Sequence, residues 1–169
     1  MSLNVSSIVK GIAKTFVEMA KSRNITFLSK IPEQVMWNSD KGFLNTIIIN
    51  LISNAFKYTP DGQSIKIEVD TSRENMLALR VANEGSTIKE KDFQYIFNRY
   101  AILDNFENQD EKNFSRNGLG LAISYNMAKL LNGTLKVENT SDGWVMFTLT
   151  LPVMELTTGV SETKRLMAE

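Results

Sequence analysis

Helical spacing of apolar residues marks three long segments of the chain, and a shorter helical pattern marks a fourth. Ser39 or Asp40 is a suitable N-cap for the helix that ends at about Tyr58. Asn132-Gly133 is typical of a left-handed C-terminal cap and follows the predicted helix 118–131. The predicted helices are residues 4–22, a segment from the N-cap to about Tyr58, residues 89–100 and residues 118–131.

Alternating apolar and polar residues predict two β-hairpins, and two short β-rich segments precede them. The hairpin strands are residues 64–70 with 76–83, and 135–137 with 144–151; the short strands are 25–28 and 35–37, with a turn at Pro32. This order of elements predicts an α+β fold. We expect a two-layer sandwich, in which a mixed, mainly antiparallel sheet of about five strands carries three main helices on one face.

The chain has 169 residues, which fits one domain. We place that domain at residues 1–152 and interpret the polar residues 153–169 as a tail or linker. Residues 101–117 are polar without a period, and a loop of this length in a compact domain is usually functional or disordered.

Composition excludes several kinds of chemistry. The chain has no cysteine and no histidine, which removes thiolate sites, histidine metal sites and the Ser-His-Asp triad. Its formal net charge is zero, which argues against a nucleic-acid partner. No apolar run is long enough to cross a membrane, so we expect a cytoplasmic piece without direct membrane contact.

Three polar residues recur on one face of the second predicted helix. Asn50, Asn54 and Lys57 are spaced i, i+4 and i+7 in an otherwise apolar run. Carboxamide oxygens suit a hard cation such as Mg²⁺, and lysine suits phosphate. The alternative is that the two asparagines brace neighbouring loops.

Two glycine-containing segments follow downstream. Residues 82–88 come at the end of a strand, where a polar side chain and a bare backbone could face a planar base; a plain turn is the alternative. Residues 117–123 place Gly118 and Gly120 at a predicted helix start, and amide groups at a helix N-terminus bind phosphate. A tight turn is the alternative there.

Taken in order, these segments resemble the nucleotide-binding fold of histidine kinases, DNA gyrase, the Hsp90 chaperones and MutL. The resemblance extends from about residue 4 to residue 152 and is strongest to the catalytic, ATP-binding domain of two-component sensor histidine kinases. Residues 50–59 resemble the N box, 82–88 a degraded first glycine box, 92–100 the F box and 117–123 the second glycine box. Residues 101–117 would then be the ATP lid.

The resemblance implies a role for each matching residue. Asn54 would bind Mg²⁺ with help from Asn50, and Lys57 would reach a phosphate. Arg99, Lys112 and Arg116 would hold the γ-phosphate, with Asn50, Lys57 and Arg99 closest to catalysis. The remaining nucleotide contacts would be Tyr58 along the nucleotide, Asn83 at the adenine amino group, Gly85 under the base, and Gly118, Leu119 and Gly120 at the phosphates.

The chain departs from the family pattern in three places. Asn83 replaces a usual aspartate, which exchanges a charged acceptor for a neutral one at a cost on the order of 1 kcal/mol. Thr87 replaces a glycine of the same box and would crowd the base. Ile102 aligns with a second arginine of the F box, and Arg116 would compensate for it.

The implied activity is transfer of the γ-phosphoryl group of ATP to a histidine, with Mg²⁺ as cofactor. Because the chain has no histidine, the acceptor would belong to a dimerisation domain outside it. A response-regulator receiver domain would be a further partner, and the parent protein could be a membrane-bound sensor. The alternatives are a degenerate regulatory domain without kinase activity, an anti-sigma-type serine kinase and a purely structural interaction module.

Overall fold

The computed structural model describes residues 1–85, 87–98 and 111–154, with the backbone alone for 111–118. Along these residues the elements are β1 (Ser2–Asn4), α1 (Val5–Thr15), α2 (Val17–Ser22), β2 (Thr26–Lys30), β3 (Met36–Asn38), α3 (Lys41–Tyr58), β4 (Ser64–Asp70), β5 (Met76–Glu84), a 3₁₀ turn (Glu90–Asp92), α4 (Glu111–Leu130), β6 (Thr134–Asn139) and β7 (Trp144–Pro152).

The main sheet has the strand order β2-β4-β5-β7-β6. Strands β2 and β4 are parallel, and the other neighbouring strands are antiparallel. Both predicted hairpins are present, β4 with β5 and β6 with β7. The predicted α+β sandwich with a mixed, mainly antiparallel sheet is therefore confirmed.

One face of the sheet forms the core. Ile67, Val81 and Phe147 lie side by side across β4, β5 and β7, and each is almost fully buried. Helix α3 contacts β5 on this face and α4 contacts β6 and β7, while α3 and α4 also pack against each other. The apolar period of α3 explains its position, because Ile47, Ile48, Leu51 and Ile52 are all inaccessible to solvent.

The N-terminal part differs from the prediction in two ways. Residues 4–22 form two helices instead of one, with a break at Phe16, whose ring stacks on Phe56 at a centroid distance of 5.3 Å. The two short strands that were predicted on either side of Pro32, β2 and β3, lie in different sheets. Strand β3 pairs with β1, where Leu3 lies opposite Trp37, in a separate two-stranded sheet that the sequence pattern did not predict.

Two further helix boundaries were wrong. Among the described residues 89–98 only Glu90–Asp92 forms a helical turn, and residues 99 and 100 lie outside the described part. Helix α4 begins at Glu111, well before Gly118. Residues 111–117 contain no proline or glycine, so nothing in this stretch prevents the helix from continuing toward its N-terminus.

The two caps that the sequence indicated are present. The Asp40 side chain accepts a hydrogen bond from the Phe43 amide at 2.9 Å and starts α3. Asn132 has φ +58° and ends α4. Among the described residues, no helix combines the length and apolar character needed to cross a lipid bilayer.

Candidate nucleotide site

The polar stripe of α3 lies against the glycine segment of α4. Asn50 is half-buried, and its Nδ2 donates to the Gly120 carbonyl at 3.1 Å and to the Ser124 Oγ at 3.0 Å. A carbonyl oxygen can only accept, so the atom of the carboxamide that reaches the Gly120 carbonyl must be the amide nitrogen. The structure thus brings together two of the predicted site residues, Asn50 and Gly120.

Gly120 has a defined neighbour. A β-carbon added at this position would lie 3.5 Å from the Asn50 Cγ and 3.6 Å from its Oδ1. This is ordinary contact distance, so a methyl group would fit but would cover one side of the carboxamide. The glycine keeps the Asn50 oxygen uncovered on the α4 side.

The other two residues of the stripe continue along α3 toward its C-terminus. Asn54 and Lys57 are both half-buried. Burial lowers the pKa of the Lys57 ammonium from its ordinary value and raises the pKa of the neighbouring Tyr58 phenol. The Lys57 Nζ lies 5.3 Å from the centre of the Tyr58 ring. A partly desolvated ammonium attracts an anion more strongly than a fully hydrated one.

Asn83 lies at the end of β5, on the core side of the sheet. Its neighbours in register are Ile65 on β4 and Val145 on β7, and its side chain is only 2% exposed. A carboxamide carries both hydrogen-bond donors and an acceptor. Asn83 therefore belongs to the sheet and lies on β5, the strand next to β4.

The chain turns sharply after Asn83, at Gly85. Gly85 has φ +89°, and a β-carbon there would approach the Pro60 Cδ to 2.9 Å. The glycine is thus required by the Pro60 contact, whatever ligand is bound. Because Pro60 follows Thr59, the C-cap residue of α3, this proximity joins the end of the N box to the first glycine box.

Two side chains that the sequence did not single out hold this region in place. Asn139 on β6 accepts from the Ile88 amide at 3.1 Å and donates to the Ile88 carbonyl at 2.6 Å, as a neighbouring strand would. The Arg23 guanidinium donates to the carbonyls of Phe56 and Thr59 and to the Asp61 carboxylate. Each of these two side chains is distant in sequence from the residues that it contacts, so no local pattern indicates Asn139 or Arg23.

Ser124 was also missed. It is fully buried on α4 and accepts from Asn50. Its position one helical turn after Gly120 is the signal that could have indicated it, because residues i and i+4 share a helix face.

For the other predicted site residues, the described part of the chain shows no side-chain hydrogen bond to Asn50, Gly120 or Ser124. Leu119 is half-buried in α4, and Gly118 belongs to the same helix instead of opening it. Thr87 is exposed. Arg99 and Ile102, and the side chains of Lys112 and Arg116, lie outside the described part of the chain.

Known proteins resemble this chain in sequence. The family profile of histidine kinase-, DNA gyrase B- and HSP90-like ATPases matches residues 39–155. Histidine kinase P4 of Formosa agariphila is 31% identical over 152 residues, covering 89% of this chain and 11% of its own length. Sensor histidine kinase WalK of Bacillus subtilis is 29% identical over 140 residues, covering 82% and 22%. The chain thus spans less than a quarter of the length of either relative.

Solved structures share the fold. The catalytic domain of the histidine kinase ThkA superposes with a TM-score of 0.73 at 23% identity, covering 90% of this chain and 95% of that domain. ThkA in complex with the response regulator protein TrrA gives a TM-score of 0.75 at 22% identity, covering 91% and 42%. The fold predicted from the sequence is the fold of these domains, and the family that matches most of the chain is one of nucleotide-dependent enzymes. The chain belongs to the family of histidine kinase-, DNA gyrase B- and HSP90-like ATPases.

Proposed function

We propose that this chain is the catalytic domain of a sensor histidine kinase, binding Mg²⁺-ATP for phosphoryl transfer to a histidine outside the chain. The observation that supports this most directly is the face of α3 on which Asn50, Asn54 and Lys57 line up, with Asn50 fixed against α4. The names of the curated relatives, which are histidine kinases, support the kinase branch of the family.

The residues present fit a magnesium ion bound with a nucleotide. Hydrogen bonding leaves the Asn50 oxygen as an acceptor, and Asn54 lies one helical turn farther along the same face. Carboxamide oxygens are suitable ligands for Mg²⁺, which normally keeps waters and phosphate oxygens as its other ligands. When bound, the ion offsets negative charge on the phosphates that react.

The chain's own side chains would position the nucleotide. Lys57 attracts a phosphate from the same face as the asparagines, and Tyr58 follows it along α3. Asn83 would accept a hydrogen bond from the adenine amino group at the sheet end of the site. Because α4 begins before Gly118, phosphate would approach Gly118, Leu119 and Gly120 along the side of the helix and not at its N-terminus.

The transfer step needs groups that the described residues do not include. We propose Arg99, Lys112 and Arg116 as the charges that hold the γ-phosphate, since electrostatic positioning dominates catalysis of phosphoryl transfer. The attacking nitrogen has to come from elsewhere, because the chain has no histidine. We therefore propose a histidine-bearing dimerisation domain and a receiver domain as partners; ThkA, which shares the fold, is known in complex with a response regulator.

The organisation of the chain fits the same proposal. Strand β7 ends at Pro152, and Val153 and Met154 are exposed. We propose residues 1–152 as the nucleotide-binding domain and residues 153–169 as a linker.

Binding is tested with a fluorescent ATP analogue titrated with Mg²⁺ and with EDTA. We expect Mg²⁺ to strengthen binding, and Asn54→Ala to remove most of that gain. Ser53→Ala is the matched control, because Ser53 is the adjacent exposed residue on α3. Failure of the wild-type chain to bind the analogue at millimolar concentration would favour a degenerate regulatory domain. Asn83 and Thr87 motivate this alternative, because they replace the aspartate and the glycine that are usual in the family.

Transfer is tested with γ-labelled ATP. The chain alone should retain no label, and adding a helical dimerisation domain with an exposed histidine should give acid-labile label on that domain. Label that resists acid, on a serine of the added protein, would instead indicate a serine kinase.

A further inference from the structure

Asn50 has a carboxamide whose orientation is determined by its partners on α4. Its two amide hydrogens have two acceptors, the Gly120 carbonyl at 3.1 Å and the Ser124 hydroxyl at 3.0 Å. Both donor positions of the amide nitrogen are therefore used. No donor among the described residues reaches the Oδ1, which remains available to a ligand.

The two acceptors are not equivalent. The Gly120 carbonyl belongs to the backbone of α4 and is present whatever residue occupies position 120. The Ser124 hydroxyl is a side-chain group that a substitution can remove. It is completely buried, and a buried polar group in a helix is normally satisfied by a specific partner. Here that partner is Asn50.

We infer that Ser124 is a positioning residue for the metal end of the site: the Gly120 carbonyl, which can only accept, selects the amide nitrogen of Asn50, and the Ser124 hydroxyl restricts the rotation of that carboxamide, so that its oxygen stays directed at the nucleotide. This inference rests on the proposed function. A carboxamide turned by 180° would present an N–H group to a cation, which repels it. Turning the carboxamide would also bring its oxygen against the Gly120 carbonyl, whereas the Ser124 hydroxyl can accept from the nitrogen or donate to the oxygen.

Removal of the hydroxyl should loosen the Asn50 carboxamide without abolishing nucleotide binding. The Gly120 carbonyl remains and still selects the amide nitrogen, but the carboxamide would rotate more freely about that single hydrogen bond and hold its oxygen less well toward the ion. The consequence is specific. Nucleotide binding without metal should be unchanged, whereas the strengthening of binding by Mg²⁺ should fall by about fivefold, the equivalent of one neutral hydrogen bond.

The experiment compares the wild-type chain with Ser124→Cys and Ser124→Ala. Cysteine nearly preserves the volume of serine but accepts hydrogen bonds weakly, so it separates the hydrogen bond from packing. The affinity for a fluorescent ATP analogue is measured with Mg²⁺ and with EDTA, and the ratio of the two affinities is the readout. We expect the ratio to fall in both variants, with the EDTA affinity constant. Equal losses under both conditions, or an unchanged ratio, would show that Ser124 has only a structural role.

A double-mutant cycle excludes an indirect effect. In the background Asn50→Ala, the change Ser124→Ala should not alter the Mg²⁺ ratio any further. A second loss of similar size in that background would overturn the inference.

Another measurement does not depend on variants that fold. In the wild-type chain, the two side-chain amide protons of Asn50 are both hydrogen-bonded. They should therefore exchange with solvent more slowly than the side-chain amide protons of the exposed Asn126. Equally fast exchange would contradict the proposed arrangement.

A wild-type chain that binds nucleotide without any Mg²⁺ effect would refute both the metal site and the role of Ser124, whereas a normal Mg²⁺ effect that survives in Ser124→Cys would refute the role of Ser124 alone.

Discussion

Gly120 shows how the absence of a side chain matters at the scale of one residue. It lies inside α4, where glycine costs about 1 kcal/mol relative to alanine, so its presence needs a reason other than helix formation. The proposed magnesium site offers one: a β-carbon would lie 3.6 Å from the Asn50 Oδ1, the oxygen that we propose binds the ion.

The first prediction therefore concerns Gly120→Ala. The thermal midpoint should stay the same or rise, because no atom has to move and helix propensity improves. Mg²⁺-dependent binding of an ATP analogue should nevertheless fall severalfold, because the methyl group covers the carboxamide. Gly11→Ala is the matched control, since an added β-carbon on α1 meets nothing within 4 Å. Unchanged Mg²⁺-dependent binding in Gly120→Ala would show that the glycine is not needed for the site.

At this scale the sequence indicated the candidate site residues but not the side chains that hold them in place. Asn50, Asn54 and Lys57 could be found because their spacing is local and helical. Ser124, Asn139 and Arg23 contact residues 74, 51 and at least 33 positions away, respectively. Such partners depend on tertiary packing, which no local periodicity encodes.

At the scale of elements, the junction between α4 and β6 has little free space. Asn132 takes a left-handed conformation, and the Gly133 amide then donates to the Ala128 carbonyl at 2.8 Å. A β-carbon on Gly133 would lie 2.3 Å from the Thr150 carbonyl oxygen and 2.7 Å from the Leu151 Cδ2. The backbone of β7 would have to move to admit it.

The second prediction is that Gly133→Ala lowers the free energy of unfolding by about 3 kcal/mol, since overpacking against backbone is among the costly classes of substitution. Urea unfolding monitored by circular dichroism measures the change. Asn132→Gly is the comparison, because glycine accepts φ +58° without a steric penalty and should cost far less. Equal stability of Gly133→Ala and wild type would show that β7 yields easily at this point.

The hairpin of β4 and β5 contains a carboxylate with an unusual titration. A hydrogen bond from the Ser72 amide, the Ser72 hydroxyl and then Arg80 lower the pKa of Asp70 to about 2. In the unfolded chain this carboxyl binds a proton at about pH 4. The stability that ionised Asp70 contributes is therefore complete above about pH 4 and is lost as the pH falls through about 2.

The third prediction follows from that window. Between about pH 4 and pH 2, the wild-type chain should lose stability more steeply than Asp70→Asn, whose side chain does not titrate. Unfolding curves at several pH values in this range give the two slopes. Glu74→Gln, which removes an exposed carboxylate from the same turn, is the control. Parallel slopes for wild type and Asp70→Asn would contradict the assignment.

Element types were predictable where the pattern is long, and boundaries were not. The apolar period of α3 and the alternation in β4, β5 and β7 repeat often enough to identify them. By contrast, β1 contains three residues, too few to show any period. The start of α4 was placed at Gly118 because residues 101–117 are polar without a period, which is typical of a loop, whereas residues 111–117 belong to the helix.

At the scale of the whole molecule, Arg23 connects the N-terminal helices to the candidate site. It follows α2, and its guanidinium bridges the carbonyls of Phe56 and Thr59 at the end of α3 with the Asp61 carboxylate. The carbonyl of Arg23 also accepts from the Gly62 amide at 3.1 Å. The turn held in this way is the one whose Pro60 contacts Gly85.

The last prediction is that Arg23→Met weakens stability and nucleotide binding together. Methionine retains the apolar stem but leaves two carbonyls at the end of α3 without their charged donor. Because Arg23 is partly exposed and water replaces some of the lost bonds, we expect a loss of about 1–2 kcal/mol in the free energy of unfolding. Hydrogen exchange should be faster at the amides of residues 59–62, and the affinity for an ATP analogue should fall in both Mg²⁺ and EDTA, unlike the metal-specific effect expected for Ser124. Arg73→Met, at an exposed arginine in the β4–β5 turn, is the matched control and should leave all three measurements unchanged. If Arg23→Met also left exchange at residues 59–62 unchanged, Arg23 would be a surface residue without influence on the site.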